Sequence, residues 1–281
     1  MSDQQYSPSG FSLLPPVVKN LLIINGLFFL ATLSLGTAYN FDLANILGLH
    51  YFRSPEFRPY QFVTYMFVHA DFSHVLYNMF ALWMFGYLLE NVWGPKRFLT
   101  YYMITGIGAA VVQTLTLWWS FSSIESAAAI YSQAPAVDSF IALVRHHFPN
   151  YYEANGTIRT FITAWAASPR DPQLAAQSVD FVSQLIKLRM DVSTIGASGA
   201  VYGILLAFGM MFPNMLVYIY FLFPVKAKWL VLLYGGIEVF SGISNNPSDN
   251  VAHFAHLGGM IFGIILILYW RKKGGIHYYQ S

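Results

Sequence analysis

The sequence predicts an all-α polytopic membrane protein of six spanning helices, with an outside-facing insertion between the third and the fourth. Three observations carry this expectation. Hydrophobic residues fill 56% of the 281 positions and charged residues only 10%, against about 25% charge in a soluble domain. Six apolar runs approach the roughly 20 residues a helix needs to cross a hydrocarbon core. Lysine and arginine gather on alternate connections. The same composition excludes disorder, which needs high charge and low hydrophobicity. A net charge of +2 gives no argument for nucleic acid. Cysteine is absent, so disulfides and thiolate metal sites are excluded.

In chain order, the first run is roughly 17–36, the second 74–92 and the third 98–120. The fourth, 196–213, is short and glycine-rich; the fifth is 227–243 and the sixth 251–270. With the N-terminus inside, the inside set is Lys19, Lys96, Arg97, Lys226, Lys228, Arg271, Lys272 and Lys273, whereas the short outside loops hold only Arg53 and Arg58. Both termini are therefore expected inside. Residues 1–16 read as a cytoplasmic segment without a cleavable signal, 17–273 as the membrane domain and 274–281 as a cytoplasmic tail. Residues 214–225 are apolar but too short to span, and read as a connection in the cytoplasmic interface. The insertion is 121–192, with Pro135, Pro149, Pro169 and Pro172. Within it, Asp171-Pro172 reads as an N-cap with proline at the first helical position. Leu174, Phe181, Val182, Leu185 and Leu188 recur at helical spacing, so 172–189 reads as an amphipathic helix packing within the insertion.

Polar groups inside spanning helices are costly, and four places stand out. Gly196-Ala197-Ser198-Gly199 opens the fourth helix; Gly199 and Gly203 also form a G-x-x-x-G that lets helices approach closely, so Ser198 is either a nucleophile or part of a packing stripe. In the sixth helix His256, Gly259 and Gly263 share one face, which puts an imidazole on a contact surface; His253, three residues earlier, has no such glycine pattern and is the weaker candidate. His74 and Asn78 share a face of the second helix and could steady an oxyanion or bond between helices. Glu90 lies 12 residues past Asn78, about 18 Å along the axis, and reads as structural; Glu238 in the fifth helix stays open in the same way. With the N-terminus inside, Ser198, His256, His74 and Asn78 all fall near the outside face.

These residues together resemble the rhomboid family of intramembrane serine proteases. The likeness rests on G-x-S-G at Gly196–Gly199, A-H-x-x-G-x-x-x-G at Ala255, His256, Gly259 and Gly263, H-x-x-x-N at His74 and Asn78, the upstream His69, and Glu90. It implies a Ser198–His256 dyad without an acid, no carboxylate being placed to orient His256. It implies Tyr202 stacked on the histidine ring. It implies an oxyanion hole of His74, Asn78 and the Ser198 N–H. Substrates would be transmembrane proteins in a lipid bilayer, with small residues at the cut and helix breakers nearby. No cofactor or metal is implied, and oligomeric state is not addressed. The expected location is a bacterial inner membrane. The sequence departs from the family where Trp-Arg usually stands in the first outside loop, here Tyr60-Gln61, which leaves the usual anchoring of that loop without its residues. His253 and the long 121–192 stretch are further departures.

Two other classes stay in view. A catalytically inactive rhomboid-like protein would bind or retain membrane clients, but such proteins typically lack the serine or the histidine, and both are present. A transporter would show internal repeats and midplane charge pairs, whereas the polar residues here gather towards one face.

Overall fold

The computed structural model describes residues 11–154, 156–219, 222–244 and 251–274. Most of the expected segment 1–16 and nearly all of the expected tail 274–281 lie outside the described residues. All six apolar runs are helical: α1 (Pro16–Tyr39), then, after the short α2 (Leu43–Leu47) and α3 (Gln61–Thr64), α4 (Phe72–Trp93) and α5 (Pro95–Gln133). The later three are α10 (Ser198–Met211), α11 (Ala227–Ser244) and α12 (His253–Lys272). A helix satisfies its own backbone groups, which lipid cannot do. Four of these, α1, α4, α5 and α12, are long and apolar enough to cross a membrane by themselves. α10 has only 14 residues, and α11 carries Glu238 within its apolar run.

α10 is the axis of the bundle. Eleven of its fourteen residues are buried, and it packs on α4, α5, α11 and α12. Around it Leu82, Phe85, Tyr101, Tyr102, Ile204, Phe208 and Ile267 form the main core. The bundle's outer surface is apolar too: Leu27 and Leu30 of α1, Leu232 and Phe240 of α11 and Ile265 of α12 are exposed, an apolar belt suited to lipid.

The third helix does not end near 120. α5 continues unbroken to Gln133, because no proline or glycine interrupts it after Gly108. Its far end joins α6 (Val137–His147), α7 (Pro149–Ala154), α8 (Gly156–Ala167) and α9 (Pro172–Met190) in a second core. There Phe121, Ile124 and Tyr131 meet Phe140, Ile158, Trp165, Val182 and Leu185. Asp171 caps α9 by accepting from Gln173 N–H at 2.8 Å, with Pro172 next, and Val182 and Leu185 face inward; Leu188 instead is exposed. Tyr51, from the loop after α2, inserts into this second core. Beside it Arg53 pairs with Glu125 at 2.7 Å, and Ser54 donates to Asp191 at 2.8 Å.

The expected connection 214–225 contains two short strands among its described residues. β1 (Leu216–Ile219) and β2 (Phe223–Lys226) pair antiparallel, Val217 opposite Val225. The alternation of Val217, Tyr218, Pro224 and Val225 was masked in the sequence by continuous apolarity. The loop between α2 and α4 has an anchor of its own. Gln61 is fully buried; its amide donates to Ile46 and Glu56 carbonyls at 3.1 and 3.0 Å and accepts from His50 and Arg58 N–H at 3.3 and 3.1 Å.

Glu90 has the structural role expected of it. Its carboxylate accepts from Val17 N–H at 2.9 Å and Val18 N–H at 2.8 Å. Pro16 has no N–H and Lys19 N–H already reaches Pro15 O, so Glu90 satisfies the two remaining free donors of α1's first turn and meets its positive dipole end. Glu90→Gln should therefore lower the unfolding free energy by about 1.5–3 kcal/mol, the range for a hydrogen bond to a charged group. Denaturation in detergent would measure this, and an unchanged transition would refute the capping role.

Candidate active site

Ser198 begins α10, where the N–H groups of the first turn have no intrahelical acceptor. The chain reaches it through Gly196, whose φ of 123° is a region that favours glycine. Gly196 N–H is held by Tyr65 O at 2.9 Å, and Tyr65 OH donates to Gly106 O at 2.7 Å. A bridge between Leu49 and Thr194 fixes the approach from the other side.

His256 comes from the first turn of α12. Its Nε2 lies 2.7 Å from Ser198 Oγ. The two helices touch backbone to backbone: a Cβ on Gly259 would stand 1.8 Å from Gly199 O. Gly199 faces Ala109 of α5, where a Cβ would come within 2.4 Å, and Gly263 faces Tyr101, where it would come within 2.3 Å of the hydroxyl. The Tyr202 ring stacks on His256 with centroids 4.2 Å apart and planes 8° from parallel. Ser198, His256, Tyr202 and the glycine face are thus together.

His74 is brought to the same place from α4. Asp71 caps that helix by accepting from His74 N–H at 2.8 Å, which fixes where α4 begins. His74 Nδ1 accepts from Ala70 N–H at 3.4 Å, so the proton of the neutral ring sits on Nε2. That nitrogen faces Gly196: a Cβ there would be 2.7 Å from it and 3.7 Å from Ser198 Oγ. Asn78, buried one turn on, donates one amide hydrogen to His74 O at 2.9 Å and keeps the second. His69 packs edge-on to the His74 ring at 5.0 Å.

One expectation needs correction. A carboxylate does reach His256: Glu238 Oε2 lies 2.9 Å from its Nδ1, close but out of line with the ring N–H. The same oxygen is 2.6 Å from His253 Nδ1, and Tyr202 OH donates to Glu238 Oε1. The signal was a lone glutamate in an apolar helix, 15 and 18 residues before the two histidines. His253 does not compete for Ser198, since Glu238 holds it. Glu238, His253 and His256 each offer one ligand atom, all within 4.8 Å of one another. The 2.6 and 2.9 Å separations are hydrogen-bond spacings, tighter than the ~3.3 Å two ligand atoms keep around a tetrahedral zinc.

Chemically, this is a hydroxyl at a helix N-terminus, an imidazole in contact with it, and a second imidazole beside the preceding backbone. A family model described as Rhomboid domain matches residues 56–123 and 151–273, leaving out 124–150. Rhomboid-like protein 11, chloroplastic, from Arabidopsis thaliana is 33% identical over 111 residues. That match covers 38% of this chain and 39% of the relative, so the chain spans well under half of that protein's length.

The geometry makes the α10–α12 contact the sensitive one. Gly259→Ala should lower stability by about 1–3 kcal/mol, the usual cost of overpacking, because a backbone carbonyl cannot swing aside as a side chain can. Gly236→Ala, where nothing lies within 4 Å of the new methyl, should be neutral or slightly stabilising. Thermal unfolding of the two variants side by side would decide, and equal midpoints would refute the close-approach argument.

Proposed function

The chain belongs to the rhomboid family, and from that premise we propose that it is an intramembrane serine protease, cleaving membrane proteins in or near their transmembrane segments. The observation that carries the reading is the 2.7 Å contact of Ser198 Oγ with His256 Nε2, under the stacked Tyr202 ring. Ser198 attacks the scissile carbonyl while His256 takes its proton, then returns it to the leaving amine. The oxyanion is held by His74 Nε2–H, the free amide hydrogen of Asn78 and the Ser198 N–H, helped by the positive end of α10. A hydrogen-bonded helical amide is shielded from attack, so the substrate helix unwinds locally at the cut.

The chain is an integral membrane protein. We propose six crossings, with α10 and α11 among them, both termini on the cytoplasmic side, and the site and the 121–192 segment on the opposite side. The Lys/Arg distribution supports this orientation. The relative's printed name places that protein in the chloroplast; a bacterial inner membrane has no support from it. The printed word "rhomboid-like" also keeps a second reading, an inactive client-binding protein.

Labelling with a serine-reactive fluorophosphonate separates the two readings. The wild type should label at Ser198 and cleave a model transmembrane substrate; Ser198→Ala and His256→Ala should do neither while still folding. No labelling of the wild type would favour the client-binding protein. His74→Ala or Asn78→Ala should label yet turn over more slowly, by up to about 10²–10³. Wild-type turnover in the His74→Ala/Asn78→Ala double variant would remove the oxyanion assignment.

A further inference from the structure

We propose that Glu238 is a positioning residue that makes a three-member relay of Ser198, His256 and itself; the role rests on the proposed reading of Ser198 and His256 as nucleophile and base. Glu238 is the one carboxylate of α11 and is only 4% exposed. A buried ionised group in an apolar bundle persists only where donors surround it. Tyr202 OH donates to Oε1 and His253 Nδ1 to Oε2 at 2.6 Å, and His256 Nδ1 stands 2.9 Å from the same Oε2.

The proton inventory gives the contact its meaning. To take a proton from Ser198, His256 Nε2 must present a lone pair, so the neutral ring carries its hydrogen on Nδ1. Among the described residues, the acceptor beside that nitrogen is Glu238 Oε2. As the Ser198 oxygen bonds to the carbonyl carbon, its proton moves to Nε2 and the ring becomes a cation with the carboxylate against it. When the carbon–nitrogen bond breaks, that proton leaves Nε2 for the amine. Glu238 stays ionised throughout; it selects the tautomer and stabilises the cation. Tyr202 ties the parts together, its ring face on the imidazole and its hydroxyl on the carboxylate.

The competing role is a clamp: Glu238 and His253 would simply fasten α11 to α12. The groups around the His256 ring are Ser198 and Tyr202 from α10, Glu238 from α11, His253 from its own helix and His74 from α4, with Tyr234 behind Tyr202. The experiment measures the rate of Ser198 labelling by a fluorophosphonate against pH in the full chain, alongside thermal unfolding. Glu238→Gln keeps the size and the acceptor for Tyr202. It should slow labelling at least about 10-fold, towards the ~10⁴ seen when a triad acid becomes an amide. Its acidic midpoint should move to lower pH, because the imidazolium loses its counter-charge. Glu238→Asp should restore the midpoint, and His253→Ala should leave rate and midpoint near wild type. A Glu238→Gln protein with wild-type rate and midpoint overturns the relay alone. A slowing that His253→Ala reproduces, with lower melting and an unmoved midpoint, assigns the clamp. If Glu238→Gln does not fold, Glu238→Asp and His253→Ala decide together: labelling slowed by the first and not by the second supports the relay, and labelling unchanged in the first, or slowed alike in both, overturns it. A wild type that takes no label at Ser198 removes the protease reading and the relay together.

Discussion

Between Gly259 and the carbonyl of Gly199 there is no room for a methyl group. That contact brings the backbones of α10 and α12 together, and with them the side chains one turn towards the helix starts. Ser198 is the residue before Gly199, and His256 precedes Gly259 by three positions, on the same face. A wider spacing would leave serine and imidazole too far apart to share a proton. The neighbouring small residues serve the same end: Gly203 lies against Thr105 and Gly258 against Val112, so α5 closes on both helices. In lipid there is little hydrophobic gain from joining helices, and close van der Waals approach takes its place.

A bundle assembled this way has few places for strongly polar side chains, and three of the buried ones have specific partners. Glu90 answers two backbone donors at the start of α1. Gln61 gathers four bonds from the loop around it. Glu238 meets a tyrosine and two histidines. The first two hold the chain in shape at the bundle's ends. The third lies against the proposed reacting pair, where the same requirement for partners also determines which nitrogen of a ring carries a proton.

Much of this was legible in the sequence. Each of the six apolar runs is helical, and the spacing of His256, Gly259 and Gly263 correctly placed an imidazole on a packed face. Asp171-Pro172 correctly began α9. What stayed hidden depended on distance in space. Glu238 is 18 residues before His256, and nothing in an apolar helix tells which way its single carboxylate turns. Gln61 anchors its loop through bonds to backbone groups, which leave no trace in residue type. The hairpin at 216–226 was concealed because an apolar run has no period to read. The continuation of α5 past residue 120 leaves no apolar signal, because hydropathy reports the surroundings of a helix and not its backbone.

The continuity of α5 has a consequence for how this sequence can change over time. At 1.5 Å per residue its 39 residues extend about 58 Å, nearly twice a ~30 Å hydrocarbon core. Both ends are committed: Gly108 lies under Phe262 of α12, and Phe121, Ile124 and Tyr131 lie in the second core with Tyr51. Each residue of an α-helix turns the chain by about 100°. Losing a single residue between those ends would rotate one face away from its partner while leaving the other in place. The letters of this stretch are freer than its length. Drift can exchange one apolar side chain for another, but a gain or loss is tolerated only near whole numbers of turns, about seven residues at a time.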